Sequence, residues 1–500
     1  MHRRIAVVAV LAVLAVGLAA GATMATGTTM AAGDQPTPAT PAVADGLSTA
    51  TGTTTVVVQL PDHAPEIESP PERAATASGV NPTRKQTIST MESHAATTRE
   101  PLERFADGNP HVTIDRRLWL ANAVVLTVDT DRLPLARLAG VDNVETIHEN
   151  YRVSINATTA PPAAGSRQIA PPATTTTTTN DTRFTNGLKL IDVPAAWQEF
   201  ENRGDGVRVA VLDTGVNPDH PDIDIREDNW ACFTDDCRSG PHDADGHGTH
   251  VSGTVVGGDA NDAGLQIGVA PDATLMHAKV LNSTGGGTYA GIVDGMQWAV
   301  ENNADVISAS LGSNGYNDAF IDPVRNAQAN GVIVVAAVGN EGSGTSGSPA
   351  NTYDATAVGS VDVQPGYPER WNPDLTNDTV STFSGGERIE RSDWKETYND
   401  TPDDWPEDYV VPDVTAPGSV IWSADTNLDT RTVDNVDTTD LVYLSGTSMA
   451  TPHVAGVVAL MESNSANNLS PNELRTGLET TAVDIGAPVT RQGVGRIDAD

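Results

Sequence analysis

The chain has 500 residues, 38% of them hydrophobic, which is enough for a sizeable core and points to two folded units with tails rather than a disordered protein. Its 66 acidic residues against 29 basic ones leave a formal charge of -37, which excludes nucleic acid and an anionic membrane surface as partners. Only Lys85, Lys189, Lys279 and Lys395 are lysines; an acidic, lysine-poor surface stays hydrated in concentrated salt, so a salt-loving source is expected beside the plainer reading of an acidic secreted protein.

Met1-His2-Arg3-Arg4, the apolar run from Ile5 to Leu18 and the small residues around Ala19 to Ala22 read as a signal peptide, assigned to 1–32. The run is short of the roughly 20 residues that span a bilayer, so a secreted, extracellular protein with no membrane attachment after signal removal is expected. Arg3-Arg4 leaves general secretion and twin-arginine export both open. Residues 33–52, rich in Thr, Ala, Pro and Gly, cannot fold alone and form a low-complexity tether.

From Thr53 the pattern changes. Strand-like Thr54–Val58 precedes a helical stretch at Thr83–Phe105, strands at His111–Leu118 and Ala123–Thr127, a short helix at Leu133–Leu138 and a strand at Val144–Val153. This β-α-β-β-α-β order predicts a small ferredoxin-like α+β domain over 53–155. Residues 156–182, with Ala-Pro-Pro repeats and the run Thr174 to Thr179, form a linker open to proteolysis. Over 183–500, strand-like runs (Val207–Leu212, Thr274–Val280, Val306–Ser308, Val332–Ala337) alternate with helical ones (Gly248–Val256, Tyr289–Asn302, Asp318–Asn330, Ser448–Ser463). Such alternation predicts an α/β domain with a parallel sheet covered on both faces, and a ligand site beyond the carboxyl ends of its strands.

Three segments meet that criterion. Val209-Ala210-Val211-Leu212-Asp213-Thr214-Gly215 ends an apolar strand in a carboxylate that can fix an imidazole tautomer. Asp245-Gly246-His247-Gly248-Thr249-His250 opens a helix with a histidine between glycines, whose small size lets a substrate backbone approach the ring. Ser445-Gly446-Thr447-Ser448-Met449-Ala450-Thr451-Pro452 puts a serine at a helix start, Pro452 being tolerated only in a first turn. A neutral histidine can activate such a serine, and Asn340, just past a strand in Ala337-Val338-Gly339-Asn340, offers an amide to an oxyanion together with the Ser448 N–H.

These segments, in the order Asp, His, Ser, resemble the subtilase family of subtilisin-like serine proteases over roughly Leu190 to Ala499, and the chain looks like its secreted, halophilic, halolysin-like type. The resemblance implies a three-layer parallel-sheet catalytic domain and a serine endopeptidase that hydrolyses protein or peptide substrates through an acyl-enzyme, as a monomer. Asp213 would orient, His247 act as base then acid, Ser448 attack, Asn340 line the oxyanion hole and Thr447 add a weak donor. Gly285, Gly286 and Gly287, with Ser310, Leu311 and Gly312, would be two backbone edges that pair with an extended peptide. The pocket floor for the residue before the scissile bond would lie near Gly347-Ser348-Pro349-Ala350. The first domain would be an inhibitor prodomain, an intramolecular partner removed by self-cleavage in the linker. No catalytic cofactor is implied. Structural calcium is, at Asp222 with Asp259, Asn261 and Asp262, residues that solvation alone would also explain. One departure stands out: the acidic stretch from Glu387 to Val411, expected as a salt-adapted surface loop, separates Ser381–Gly385 from Val414–Gly418.

Cys232 and Cys237 can close a small disulfide loop in an exported chain or remain two thiols; a metal site would need more ligands. His247 and His250 form H-x-x-H without a matching third ligand, so His250, like His277 and His453, reads as a packing residue. Asp213-Thr214-Gly215 occurs once, which excludes a single-chain aspartic protease. A catalytically silent scaffold would have lost Ser, His or Asn from the site, and none is missing.

Overall fold

The computed structural model describes residues 42–61, 82–155, 183–362, 378–396, 401–426, 431–433, 436–438, 440–465 and 469–500. The expected signal peptide, residues 33–41 of the tether and the linker lie outside them. Among the described residues no helix is long and apolar enough to cross a membrane.

The N-terminal lobe runs β1 (Thr53–Gln59), α1 (Pro82–Asp107), β2 (Val112–Leu118), β3 (Ala123–Asp129), α2 (Leu135–Ala139) and β4 (Thr146–Glu149). Its strands lie in the order β4-β1-β3-β2, all antiparallel. β1 is buried on both faces, which is why Val56-Val57-Val58 reads as a continuous apolar run. Val56 and Val58 join Leu102, Leu126 and Ile147 in the lobe's own core, whereas Val57 and Val125 pack into a core shared with the following domain.

Two expectations change here. Part of the tether folds: Ala42–Val43 pairs in parallel with β4, and Ala44 and Leu47 are buried. An unpaired sheet edge supplies the backbone partners that a composition poor in large apolar residues lacks. The single strand expected at Val144–Val153 is two, because the chain turns at Asn150 and Tyr151; β4 stays in the lobe, and β5 (Arg152–Ser154) leaves it for the next domain.

The second domain has a seven-stranded sheet in the order β13-β12-β11-β10-β6-β8-β7, all parallel. Its members are β6 (Arg208–Asp213), β7 (Trp230–Cys232), β8 (Thr274–Lys279), β10 (Val306–Ala309), β11 (Ile333–Ala337), β12 (Thr356–Asp362) and β13 (Val414–Ser419); a short outlying strand, β9 (Gly286–Thr288), pairs with β5. Alternate residues of β6 serve opposite layers. Ala210 and Leu212 face the layer of α4 (Tyr289–Glu301) and α5 (Ile321–Ala329); Val209 and Val211 face α3 (His247–Val256) and α6 (Thr447–Asn464). This is the three-layer α/β architecture of a domain with helices on both faces of a parallel sheet.

The acidic stretch from Glu387 is not a solvated loop. Glu387–Glu390 and Asp408–Val411 form an antiparallel hairpin, and Trp394, Trp405 and Tyr409 are buried beneath it. Charge composition hid the three aromatic residues that it buries.

The lobe docks on the ends of α4 and α5. Arg84, 4% exposed, donates from Nε to Asn330 O (2.6 Å), from Nη1 to Ala304 O (2.8 Å) and from Nη2 to Gly331 O (3.1 Å). A cation placed at two helix C-termini satisfies carbonyls that the helices cannot. Arg116 pairs with Asp294 at 2.6 Å, and Gln297 Oε1 accepts from the Trp119 N–H at 2.9 Å. Replacing Arg84 by Met leaves buried carbonyls without donors, so the full chain carrying Ser448→Ala should unfold several degrees lower in calorimetry, about 3 kcal/mol less stable. An unchanged melting temperature would show that Arg84 does not hold the lobe.

Candidate active site

Asp213 closes β6 and has no exposed surface. Its Oδ1 accepts from His247 Nδ1 at 2.8 Å and from the Thr214 N–H at 2.7 Å. His247 is the first residue of α3, and the helix can begin this close to the strand only because of its neighbours. A Cβ on Gly248 would collide with Gly215 O and come within 3.1 Å of Asp213 Cβ. Gly215 has φ +126°, and a Cβ there would strike His242 O. The glycine after the histidine therefore seats the helix on the carboxylate; it is not there to admit substrate, as its sequence suggested.

Sequence reasoning missed the group that fixes this start. Asp243 Oδ1 accepts from the Gly246 N–H (3.0 Å) and Thr214 Oγ1 (3.1 Å), and its Oδ2 from the Thr249 N–H (3.0 Å) and Oγ1 (2.7 Å). Thr214 Oγ1 in turn accepts from the Gly248 N–H at 2.8 Å. Burial opposes ionisation of Asp243, but the bonds from Gly246 and Thr249 outweigh it and hold its carboxyl below the usual value. An acid four residues before a helix-opening histidine was its only signal, in a segment crowded with acids.

Burial likewise disfavours charge on His247, yet the Asp213 carboxylate, with Asp245 and Asp243 behind it, raises the imidazole above its ordinary value. The other three histidines of this region differ. Burial lowers His250 to about 3, His277 to about 4 and His453 to about 4. They bond Ile421 O, Ser252 Oγ and Met449 O respectively, and so stay neutral and structural.

Ser448 lies in the first turn of α6, which packs against α3. Pro452 stands in the second turn rather than the first, and its missing N–H would have bonded Ser448 O. That carbonyl accepts from Ser310 Oγ at 2.8 Å instead, while Ser448 Oγ donates to Ser310 O at 3.2 Å. His247 Nε2 is buried without a hydrogen-bond partner. Asn340 Oδ1 accepts from the Thr447 N–H (2.9 Å) and Oγ1 (3.1 Å), which orients the amide and leaves Nδ2 buried and unpartnered. An unsatisfied buried donor costs about 1–3 kcal/mol and marks a place where a partner atom is to arrive.

The two glycine- and serine-bearing edges are occupied by the chain itself. Gly286, Gly287 and Thr288 pair antiparallel with Ser154, Val153 and Arg152, and Gly285 O accepts from the Ile155 N–H at 3.0 Å. On the other side Ser154 and Gly312 exchange both backbone bonds at 3.2 Å. The segment Arg152–Ile155 is thus a strand between β9 and the Ser310–Gly312 edge.

Cys232 and Cys237 form a disulfide. Asp236 inside that loop accepts from the Ser283 N–H (2.8 Å) and lies 3.4 Å from the buried Lys279 Nζ, which also donates to Thr214 O (2.7 Å).

Of the four expected calcium residues, the structure joins two. Asp222 accepts from the Asn261 N–H (2.9 Å) and Nδ2 (2.6 Å), and Asn261 Nδ2 also reaches Leu265 O (2.7 Å). Asp259 and Asp262 are exposed, since the turn that brings Asn261 inward sends its neighbours out. Asp222 Oδ2 and Leu265 O both accept from Asn261 Nδ2, and Asn261 Oδ1 accepts from the Leu265 N–H (3.1 Å), so these groups satisfy one another and fall short of the six to eight oxygen ligands calcium takes. Among the described residues no three His, Cys, Asp or Glu side chains cluster as a metal site.

Residues 204–495 match the model of the subtilase family. The chain is 34% identical to thermitase of Thermoactinomyces vulgaris over 323 residues, 64% of this chain and 97% of that one. It is 33% identical to an intracellular serine protease of Paenibacillus polymyxa (62% of this chain, 83% of that one) and 36% identical to subtilisin DY of Bacillus licheniformis (57% and 86%).

If His247 serves as a general base it must be neutral, so activity should fall as pH drops through its raised pKa. The acid limb of kcat/KM should centre above the 6.5 of an ordinary imidazole. Asp213→Asn removes the largest raising influence, so the limb should move to lower pH while kcat falls about 10⁴-fold. A limb at or below 6.5 in the unaltered protein would contradict this electrostatic reading.

Proposed function

Because the chain belongs to the subtilase family and is a serine endopeptidase, we propose that Asp213, His247 and Ser448 are its triad, with Asn340 as an oxyanion donor. The observation that carries this is the buried, tautomer-fixing bond of Asp213 to His247 Nδ1, which leaves Nε2 free beside the helix that bears Ser448. Rotation of the Ser448 hydroxyl from Ser310 O to Nε2 prepares the nucleophile. Oγ attacks the scissile carbonyl as its proton passes to Nε2, and the oxyanion is met by Asn340 Nδ2 and the Ser448 N–H, which has no intrahelical partner in a first turn. Collapse expels the amine, which takes the proton from His247. Water, deprotonated by His247, then attacks the acyl carbon, and collapse breaks the bond to Ser448 Oγ, which takes the proton back from His247 as the carboxylic acid leaves.

The edges Gly285–Gly287 and Ser310–Gly312 are the peptide-binding strands. The reading is supported by Arg152–Ile155, which adds to both as a third strand, the β-augmentation that an extended substrate would make. That occupancy also supports the lobe over 53–155 as a ferredoxin-like inhibitor prodomain, whose β-α-β-β-α-β order and strand order agree with it. Self-cleavage would fall in 156–182. Secretion rests on the N-terminal sequence, and the halophilic, halolysin-like character on the acid excess and four lysines. Structural calcium at Asp222 with Asp259, Asn261 and Asp262 rests on the family resemblance at Asp222 and on the hard oxygens of the 258–262 loop.

Ser448→Ala in the full precursor should accumulate uncut and fail to hydrolyse casein, whereas the unaltered chain releases its lobe and starts at a new N-terminus between 156 and 182 on peptide mapping. Normal maturation of the variant would refute the assignment. Asn340→Leu should lower kcat about 10²–10³-fold with KM little changed, the usual cost of one such donor. Dialysis of the mature enzyme into low salt, with calcium or with EGTA, should abolish activity without salt and lower its melting temperature on chelation. Full activity at low salt removes the halophile proposal, and an unmoved transition removes calcium.

A further inference from the structure

We propose that the inserted acidic hairpin is a specificity-determining part of the protease: it holds the turn that shapes the pocket for the residue before the scissile bond. The inference rests on the peptide-edge reading above. The turn in question is 346–351. Gly347–Ser348 pairs antiparallel with Ser313–Asn314, immediately after the Gly312 edge. The Gly347 N–H donates to Val338 O at 3.1 Å, two residues before Asn340. The turn is therefore bonded on one side to the strand that receives peptide and on the other to the segment that carries the oxyanion amide.

Its own residues hold it only in part. Ser348 Oγ donates to Asn351 Oδ1 (2.6 Å), and Asn351 Nδ2 reaches Gly315 O (3.0 Å). The Asn317 N–H adds a bond to Ser348 Oγ (2.9 Å), and the insertion adds two more. Ser346 Oγ donates to Glu387 Oε1 at 2.6 Å, at the start of the hairpin. Tyr409 OH donates to Asn351 O at 2.7 Å and accepts from Trp394 Nε1 at 3.0 Å. Trp394, with no exposed surface, packs on Tyr316 at 5.2 Å between centroids, three residues past Ser313. The hairpin thus grips the turn from one end and the peptide edge from the other. A hydroxyl in a buried aromatic cluster must be paired, and here its pairing fixes a carbonyl of the pocket turn.

Asn340 has its own anchor in Thr447, so loosening the turn should alter the pocket while the oxyanion donor stays in place. Tyr409→Phe keeps the ring and removes only the hydroxyl. In mature enzyme the readout is kcat/KM for two peptide anilides that differ only in Phe or Ala before the scissile bond, beside p-nitrophenyl acetate, which needs no pocket. The expected result is a change of about three- to tenfold in the Phe/Ala ratio with acetate hydrolysis retained. Trp394→Phe, which keeps an apolar ring against Tyr316 but loses the indole N–H, should change it in the same direction. An unchanged ratio in Tyr409→Phe overturns the proposal whether or not Trp394→Phe folds, as does a loss of acetate and peptide hydrolysis in parallel. Failure of the unaltered protein to cleave either anilide would instead overturn the peptidase reading, and this inference with it.

Discussion

A carboxylate buried completely at the end of a strand costs several kcal/mol unless hydrogen bonds replace the water it lost. Asp213 receives two on Oδ1, from His247 and from the next backbone N–H, while Oδ2 stays buried without a partner, and this small arrangement governs much of the surrounding chain. The histidine must open a helix within bonding distance of the strand, so Gly248 and Gly215 cannot carry side chains. The helix start must hold its place, so Asp243 and Thr214 gather its backbone donors. The imidazole that results is raised in basicity and presents its other nitrogen without a partner.

The second constraint is that sheet edges seek partners. Two backbone edges flank the site, and the chain fills both with its own Arg152–Ile155. Hence one apolar stretch serves two structures: β4 completes the lobe's sheet, and β5, two residues later, belongs to the cleft of the other domain. The lobe is held there by a shared apolar core and by polar groups that meet α4 and α5, Arg84 at the carbonyls past their ends and the Trp119 N–H at the Gln297 side chain. Ser448, meanwhile, is tied to Ser310 through both its hydroxyl and the carbonyl that Pro452 leaves free.

The acidic hairpin shows how charge can mask a core. Its sequence is dominated by Asp and Glu, and composition alone makes it a solvated surface. In the fold its ion pairs, such as Arg391 with Asp403 and Arg325 with Asp404, lie around three buried aromatic rings.

The sequence by itself pointed to the proposed chemistry. Asp213, His247, Asn340 and Ser448 each follow a strand or open a helix, a local property that short-range pattern carries, and the alternation of strands and helices makes the three-layer sheet necessary. Only the tertiary structure decided the rest. That Asp243 braces the helix start through Thr214 as well as its own neighbours, that Gly248 faces Asp213 rather than substrate, and that Tyr409, tied to Trp394, reaches the turn at 346–351 depend on contacts between residues about 30 to 60 apart in the chain. Such contacts leave no periodicity to read. They follow from how side chains of given shape fill one buried volume, which no local pattern encodes.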